Sequence, residues 1–301
     1  NGILPLNIAV PANAVLNQPL GVRFRLSTAD VAAGTAEGPA PNGETEDYHA
    51  EVVAYDYGDL ADSGPGTGTS NYQTSPADNG PSHKVSDALL LGASVDFENA
   101  GQPSADADGD DTNGLDDEDG VILPMFQLGV PADVTVNLVN TTGIPAQLTV
   151  FIDWNGNGAF ETSEIYSSSV GNVSNTLVNV TPPAGAILNK NIGVRVRLST
   201  DIAASMSPTG QAPNGEVEDY LAQVMAFDYG DLADDDANGA YPTNDFDGGE
   251  GVGASHKIVN GLKLGASVDA EADGLQSATA NGDDTNSADD EDGVTMPTLI
   301  A

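Results

Sequence analysis

Twelve residues, from Asp153 to Glu164, carry the side chains in this sequence best suited to binding chemistry. They read DWNGNGAFETSE, with oxygen-bearing side chains at positions one, three, five and twelve and glycine at position six. In such a loop alternate side chains point oxygen ligands inward, glycine permits the tight turn, and the last glutamate closes the site. The spacing predicts a calcium loop with ligands Asp153, Asn155, Asn157, the carbonyl of Ala159, and Glu164. The alternative is an Asn-Gly hairpin turn without metal.

The segments around this loop alternate as β-strands do. AQLTVFI precedes it and EIYSSSV follows it, so we expect the loop to join two strands. Between residues 121 and 226 the strand-like segments are VILPMFQL, VTVNLVN, AQLTVFIDW, SEIYSSSV, NTLVNVT, GVRVRLST and DYLAQVMAF. Seven strands in about a hundred residues are typical of an immunoglobulin-like sandwich of two sheets.

One of these strands places two arginines together. In VRVRL, Val194, Val196 and Leu198 share one face, and Arg195 and Arg197 share the other. We expect the arginines to point outward, where they either meet carboxylates or remain solvated charges at a sheet edge.

A second set of candidate ligands lies in two acidic segments. The first acidic segment (54–120) and the second acidic segment (227–293) are rich in Asp, Gly, Ser and Asn and poor in apolar anchors. Crowded carboxylates repel one another unless a counter-ion lies between them. We therefore predict loop-rich calcium-binding modules, the alternative being disordered acidic linkers. The predicted ligands are Asp96, Glu98, Asp106, Asp108, Asp110, Asp116, Asp117 and Asp119 in the first segment and Asp269, Glu271, Asp273, Asp283, Asp289, Asp290 and Asp292 in the second.

Composition limits the partners of the chain. With 46 acidic and 8 basic residues in 301, the net charge is −38, which disfavours nucleic acid. Cysteine is absent, so any metal must be held by oxygen, and Ca²⁺ is the predicted ion. No apolar run approaches the ~20 residues that span a bilayer, so we expect no membrane insertion. The start, NGILPLNIAV, lacks the features of a signal peptide and indicates a processed or excised piece.

The chain repeats itself. YDYGDLAD at 55–62 returns as FDYGDLAD at 227–234, GVRFRLST as GVRVRLST, and APNGETEDY as APNGEVEDY. This predicts an all-β protein of tandem immunoglobulin-like β-sandwich repeats joined by acidic modules. The predicted domains are the C-terminal half of a sandwich (1–53), the first acidic segment (54–120), a complete sandwich (121–226), the second acidic segment (227–293), and a strand leading into the next repeat or partner (294–301).

Several of these motifs together resemble a known family. APNGEVEDY after VRVRLS, the FIDWNGNGAF loop, and the block DYGD, SHK, LGASVD, GDDTN and DDEDGV resemble the GEVED-domain repeats of large bacterial secreted and surface proteins. The resemblance covers nearly the whole chain and implies an extracellular, calcium-dependent, multi-repeat architecture. It implies neither a ligand nor a reaction. The first segment has DFENAG where the second has DAEADG, so Asp273 lacks a counterpart and we expect weaker binding in the first.

Enzymatic motifs are missing from the sequence. There is no nucleophile elbow, zinc-protease motif or phosphate loop, which favours a non-enzymatic protein. His83 and His256 recur within Ser-His-Lys and are predicted to pack or hydrogen-bond. Glu216 and Glu218 share one strand face and are predicted to be solvated or to face calcium.

The repeat also suggests how the chain assembles. Residues 1–53 match only the second half of a sandwich, which leaves an open apolar edge for the same polypeptide or another protomer to complete. We expect identical protomers in a head-to-tail, pilus-like filament, outside the cell or on a bacterial surface, stiffened by calcium and assembled by strand donation. The alternatives are a calcium-dependent adhesin or carbohydrate-binding repeat region, and an accessory region of a secreted hydrolase.

Overall fold

The structure, a computed structural model, has two compact units, Asn1–Tyr55 and Asp56–Ala301. It describes residues 3–11, 13–29, 36–98, 100–109, 117–172, 174–233, 241–243, 253–282 and 290–300. Nearly all regular structure in these ranges is β, as predicted. None of the helices within them is long and apolar enough to cross a membrane.

The first unit is built on one strand pair. Strands β1 (Pro19–Leu26) and β2 (Glu44–Glu51) are antiparallel, with Arg23 opposite Asp47. Every residue of β2 is exposed, and so are large apolar side chains near the start of the unit, including Leu4 at 80%. The apolar surface of this unit is therefore largely uncovered.

The second unit contains many short strands. Its helix α1 spans Ile202–Ser205, and 3-10 turns occur at Pro76–Asp78 and Thr162–Glu164. In chain order the strands are β3 (Tyr55–Tyr57, starting at the unit boundary), β4 (Ser82–Lys84), β5 (Leu89–Leu91), β6 (Val121–Ile122), β7 (Phe126–Gln127), β8 (Ala132–Asn140), β9 (Ala146–Ile152), β10 (Ile165–Val170), β11 (Asn175–Val180), β12 (Ile192–Ser199), β13 (Gln211–Ala212), β14 (Glu216–Ala222), β15 (Val224–Met225), β16 (Phe227–Tyr229) and β17 (Ser255–Lys257).

Residues 121–226 form what we term the two-sheet domain. The first acidic segment adds strand β5 to one of its sheets. One sheet has the order β10-β9-β12-β14, and the other has β11-β8-β5 with β6 also on β8. The inward residues of β8, among them Val134 and Val136, share one hydrophobic core with Val194 and Val196 of β12. Two short parallel strand pairs, β7 with β15 and β4 with β13, also occur in this unit.

The first acidic segment is built into this domain. Its strand β5 pairs antiparallel with β8, so that Leu91 lies opposite Leu138 and Leu89 opposite Asn140. Leu89 and Leu91 are 0% exposed and belong to the core. Through β5 this segment is therefore part of a sheet of the two-sheet domain, and the alternative of a disordered linker is wrong for that strand.

The two arginines of β12 are not solvated. Arg195 is 1% exposed and Arg197 is 0% exposed, because the first acidic segment covers their face of the sheet. Arg195 donates to both carboxylate oxygens of Asp219 at 2.8 Å and to the carbonyl of Gln73 at 3.2 Å. Arg197 donates to Nε2 of His83 at 2.9 Å. The expectation that arginines meet carboxylates is confirmed for Arg195, and the solvated interpretation is wrong for both.

Candidate metal centre

The predicted calcium loop joins β9 to β10, which pair antiparallel with Phe151 opposite Ile165. It therefore lies between strands, as the flanking alternation predicts. At position six, Gly158 has a φ of 80°. A Cβ there would lie 1.8 Å from the carbonyl oxygen of Gly68, so both the turn and its neighbour require glycine.

Local hydrogen bonds gather the oxygens of the loop. Asp153 is fully buried, and its carboxylate accepts the N–H groups of Asn157 at 3.1 Å and Gly158 at 2.8 Å. The side-chain oxygens of Asn155 and Asn157 accept the N–H groups two residues ahead, at 3.0 and 2.7 Å, the second of them from Ala159. Such turns hold short polar side chains against their own backbone. The predicted ligands thus share one compact loop.

Glu161, at position nine, is a residue that the sequence reasoning missed. Its carboxylate accepts the side-chain amides of Asn157 at 2.7 Å and Asn155 at 3.1 Å. Glu164 is 3% exposed, and burial, together with the neighbouring Glu161, raises the pKa of Glu164 to about 8. Position nine often supplies a calcium ligand, directly or through water, which is the signal that could have found Glu161.

Tyr72 ties the loop to the first acidic segment. Its hydroxyl donates to Asp153 at 2.9 Å and accepts the N–H of Gly193 at 2.7 Å. Its ring stacks on Phe160 of the loop, with ring centroids 5.6 Å apart. A change in the conformation of the loop would therefore alter contacts made by the acidic segment.

Four carboxyl groups of the first acidic segment form a second candidate site, those of Asp56, Asp96, Glu98 and Asp117. Glu98 accepts the N–H of Tyr57 at 3.1 Å, and Asp117 accepts the N–H of Asp96 at 2.9 Å. Burial, with Asp96 and Asp56 adding to it, raises the pKa of Glu98 to about 11. Oδ1 of Asp96 and Oε1 of Glu98 are buried, and no described residue gives either of them a hydrogen bond. Buried acceptors of this kind are costly unless a proton or a cation satisfies them.

The other predicted ligands of this segment do not join that group. Asp106 and Asp108 are exposed. In the hydrogen bonds that the structure shows for them, the hydroxyl of Ser104 accepts the N–H groups of both residues and donates to the carboxylate of Asp108. Asp119 is exposed and accepts the N–H of Ala93 at 2.9 Å. Asp110 and Asp116 lie outside the described residues.

Two glutamates of the GEVED sequence are buried beside this group, so of the two alternatives predicted for them, solvated or facing calcium, the solvated one is wrong. Glu216 is 0% exposed and accepts the N–H of Leu91 at 2.6 Å, while its Oε1 has no hydrogen bond from any described residue. Burial, followed by repulsion from Asp56 and Glu218, raises the pKa of Glu216 well above its usual value. Glu218 accepts the N–H of Gly120 at 2.9 Å, and burial raises its pKa to about 8.

The second acidic segment repeats the arrangement of the first. Glu271 accepts the N–H of Tyr229 at 3.0 Å, and Asp290 accepts the N–H of Asp269 at 3.3 Å. Oδ1 of Asp269 and Oε1 of Glu271 are again buried and unsatisfied by the described residues. Burial raises the pKa of Glu271 to about 8, with Asp269 and Asp228 nearby.

The remaining predicted ligands of the second segment are dispersed. Asp292 accepts the N–H of Ala266 at 2.9 Å, as Asp119 does with Ala93 in the first segment. Asp273 accepts the N–H of Gly274 at 2.9 Å. Asp283 and Asp289 lie outside the described residues.

The oxygen-only donor sets suit a hard cation such as Ca²⁺. In the described ranges, however, no three His, Asp or Glu side chains already converge closely enough to hold a metal ion. The buried oxygens left unsatisfied in both acidic segments fit a cation chemically. Binding would require the carboxyl groups to move toward the ion.

Comparison with known proteins adds one finding. Residues 147–223 match the family described as GEVED domain, so the resemblance is confirmed over β9 to β14. This stretch contains the predicted calcium loop, both buried arginines and the GEVED sequence itself. No curated protein and no solved structure matches the chain.

Proposed function

We propose that this chain is a structural, non-enzymatic segment of a bacterial extracellular fibre, in which calcium stiffens immunoglobulin-like sandwiches joined by acidic modules. The observation that carries the proposal is a clamp: the buried carboxylates of the GEVED sequence accept backbone N–H groups of the first acidic segment. A clamp of this kind makes a rigid junction between consecutive parts of the chain.

Each carboxylate of the clamp engages a different turn of the segment. Glu216 accepts from Leu91, and Glu218 accepts from Gly120. Asp219, already paired with Arg195, accepts the N–H groups of Asp59 and Leu60, both at 2.9 Å. Hydrogen bonds to a charged group contribute about 1.5–3 kcal/mol each, a figure that applies here to Asp219, which is paired with Arg195. Three such anchors hold the segment against the two-sheet domain much more firmly than a flexible linker would be held.

Calcium would relieve the strain that the clamp creates. Asp56 repels both Glu98 and Glu216 in a buried site. A divalent ion offsets this repulsion and supplies a partner for the unsatisfied oxygens. Extracellular modules bind calcium with dissociation constants of about 10⁻⁴–10⁻³ M, so even modest sites fill outside the cell. The junction would then be stiff outside the cell and looser where calcium is scarce.

The first unit supports assembly into a filament. Ile3 is 100% exposed, Ile8 71% and Leu26 74%, an apolar surface that a soluble domain normally covers. Strands donated by another protomer would cover it, as in other strand-addition complexes. We propose a head-to-tail, pilus-like arrangement of identical protomers on this ground.

The test is thermal unfolding of the full chain in about 1 mM calcium, in magnesium and in chelator. We expect calcium to raise the midpoint, since at about 1–10 times its dissociation constant the ion stabilises the folded state by about 0.4–1.4 kcal/mol per site. Glu98→Gln should remove the increment that comes from the candidate site of the first acidic segment, and Glu164→Gln the increment that comes from the loop. Asp87→Asn, at an exposed position of the same segment, is the matched control and should keep both. Equal midpoints in calcium and chelator, with no heat of binding in calorimetry, would refute the calcium role.

A further inference from the structure

The two acidic segments differ in what covers them. In the first, Leu89 and Leu91 are 0% exposed because the two-sheet domain lies over them. In the second, the equivalent Leu262 is 77% exposed and Leu264 is 73% exposed. The sequences around these leucines match, so the second segment presents uncovered the surface that the first one buries.

This uncovered surface is a groove with a cavity volume of about 610 Å³. Leu262, Leu264, Val294 and Met296 give it an apolar wall, and Asp228 lies at the groove as well. An apolar groove of this size in an acidic chain marks a binding surface.

The first acidic segment shows which kind of structure fits such a groove. Strand β8 pairs with β5, and the neighbouring strands β12 and β14 add an arginine and an acidic motif in a fixed register, which bond the rest of the segment. Arg197 donates to His83, Glu216 accepts from Leu91, and Glu218 accepts from Gly120. The equivalents of those three partners in the second segment are His256, Leu264 and Gly293, and all three line the groove.

A second strand pair of this kind occurs in the described part of the chain, and it is exposed. Strands β1 and β2 pair with Leu26 opposite Glu44 and Arg23 opposite Asp47. Strands β12 and β14 pair identically, with Leu198 opposite Glu216 and Arg195 opposite Asp219. The sequences VRFRL and GETEDY thus offer the same groups in the same register as VRVRL and GEVEDY.

Arg25 of β1 makes hydrogen bonds like those of its counterpart Arg197 in β12. Arg25 donates to the carbonyls of Glu37 at 2.9 Å and Gly38 at 2.6 Å. Arg197 donates in the same manner to the carbonyl of Gly210 at 2.7 Å while its Nε reaches His83. The strand pair of the first unit therefore needs little rearrangement to act as β12 and β14 do.

We propose that the groove of the second acidic segment binds the β1–β2 strand pair of a second copy of this chain. His256 would face Arg25, and the N–H groups of Leu264 and Gly293 would donate to Glu44 and Glu46. The surfaces differ, so the contact is heterologous and extends into a filament rather than closing as a twofold dimer. This inference rests on the proposed structural role and names its assembly contact; it does not depend on calcium.

Sedimentation velocity of the full chain over a range of concentrations tests it. Because each chain carries a charge of −38, the runs need enough salt to screen repulsion between copies. We expect the unaltered chain to form a concentration-dependent series of oligomers. Leu264→Asp should weaken self-association by about tenfold or more, since a charge enters the apolar wall. Leu177→Asp, at a leucine that is 60% exposed outside the groove, is the matched control and should not weaken it.

A mixing experiment tests the polarity of the contact. The Leu264→Asp chain keeps an intact strand pair, and an Arg25→Glu chain keeps an intact groove. Each should be monomeric alone, and a mixture should stop at a one-to-one dimer. A mixture without dimer, oligomers unchanged by both substitutions, or an unaltered chain that stays monomeric would overturn the proposal. Calcium-dependent melting of Leu264→Asp, measured in parallel, reports separately on the proposed calcium function.

Discussion

Two strand pairs in this molecule have nearly the same sequence and very different surroundings. In β1–β2, Arg23 makes a bidentate pair with Asp47 at 2.7 Å, and their side chains are 44% and 57% exposed. In β12–β14, Arg195 makes the same pair with Asp219 at 2.8 Å, and their side chains are 1% and 0% exposed. The pair itself follows from register alone. Its burial requires the acidic segment that lies over it.

The difference separates two kinds of interaction made by this repeated strand pair, one within the pair and one with an acidic segment. Pairing across two neighbouring strands is local and forms in both copies. The clamp, in which Asp219 also accepts the N–H groups of Asp59 and Leu60, forms where an acidic segment is present. Exposed ion pairs contribute little to stability, whereas breaking a buried one is costly. The same residues should therefore matter very unequally in the two places.

The largest expected effect comes from Asp219→Ala. It leaves Arg195 charged, buried and without its carboxylate, and it deprives two main-chain N–H groups of their acceptor. We expect a loss of about 3–5 kcal/mol in the free energy of unfolding of the second unit. Urea unfolding measures it, followed by the fluorescence of Trp154, the single tryptophan, for the second unit and by far-ultraviolet circular dichroism for the first. Asp47→Ala is the matched change and should have little effect, because water solvates the exposed Arg23. Equal losses from both changes would contradict the comparison.

A smaller effect is expected at the glycine of the repeated Asp-Tyr-Gly-Asp sequence. A Cβ on Gly58 would lie 2.4 Å from a carboxylate oxygen of Asp219, which Arg195 holds in place. Gly58→Ala should cost about 1–3 kcal/mol. A Cβ on the equivalent Gly230 meets nothing within 4 Å, so Gly230→Ala should be nearly neutral. The difference between their thermal midpoints measures the clamp, and similar midpoints would argue against it.

The smallest expected effect is a dependence on pH in chelator. Burial raises the pKa of Glu218 to about 8 and that of Glu98 to about 11. The folded state then binds more protons than the unfolded state, so stability falls as pH rises from about 7 to 9. His83, whose pKa is lowered by burial, is neutral in the folded state, and in the unfolded state it carries a proton to a minor extent only near pH 7. Thermal midpoints should fall by a few °C, on the order expected for small changes in free energy.

Two comparisons sharpen that measurement. Glu218→Gln should flatten the slope between pH 7 and 9, because it removes one of the groups that titrate there. Asp47, whose pKa is lowered by its hydrogen bond with Arg23, has the opposite sign and loses its contribution only as pH falls below its usual value. A midpoint that rises with pH in chelator would contradict the buried acidic cluster.

Much of the fold could be predicted from alternation and repetition. The seven expected strand segments each contain a strand, and the candidate loop lies between two of them, because period-2 patterns report which faces are buried. Glu98 and Asp117 could be identified as interacting acids because their segment repeats. Glu216 could not be identified as buried, since its neighbour on the same strand face is another glutamate and nothing local indicates a cover.

The sequence by itself determined the strands, the shared face of Arg195 and Arg197, and the oxygen-only chemistry of any metal site. These follow from local geometry and side-chain type. Tertiary structure alone decided that β5 enters the sheet of the two-sheet domain and that Glu216 and Glu218 become buried acceptors. Burial depends on which segments meet in space. Polar side chains can be buried where main-chain N–H groups are available to donate hydrogen bonds to them. The two acidic segments, alike in sequence and unlike in exposure, show that physical rule within one chain.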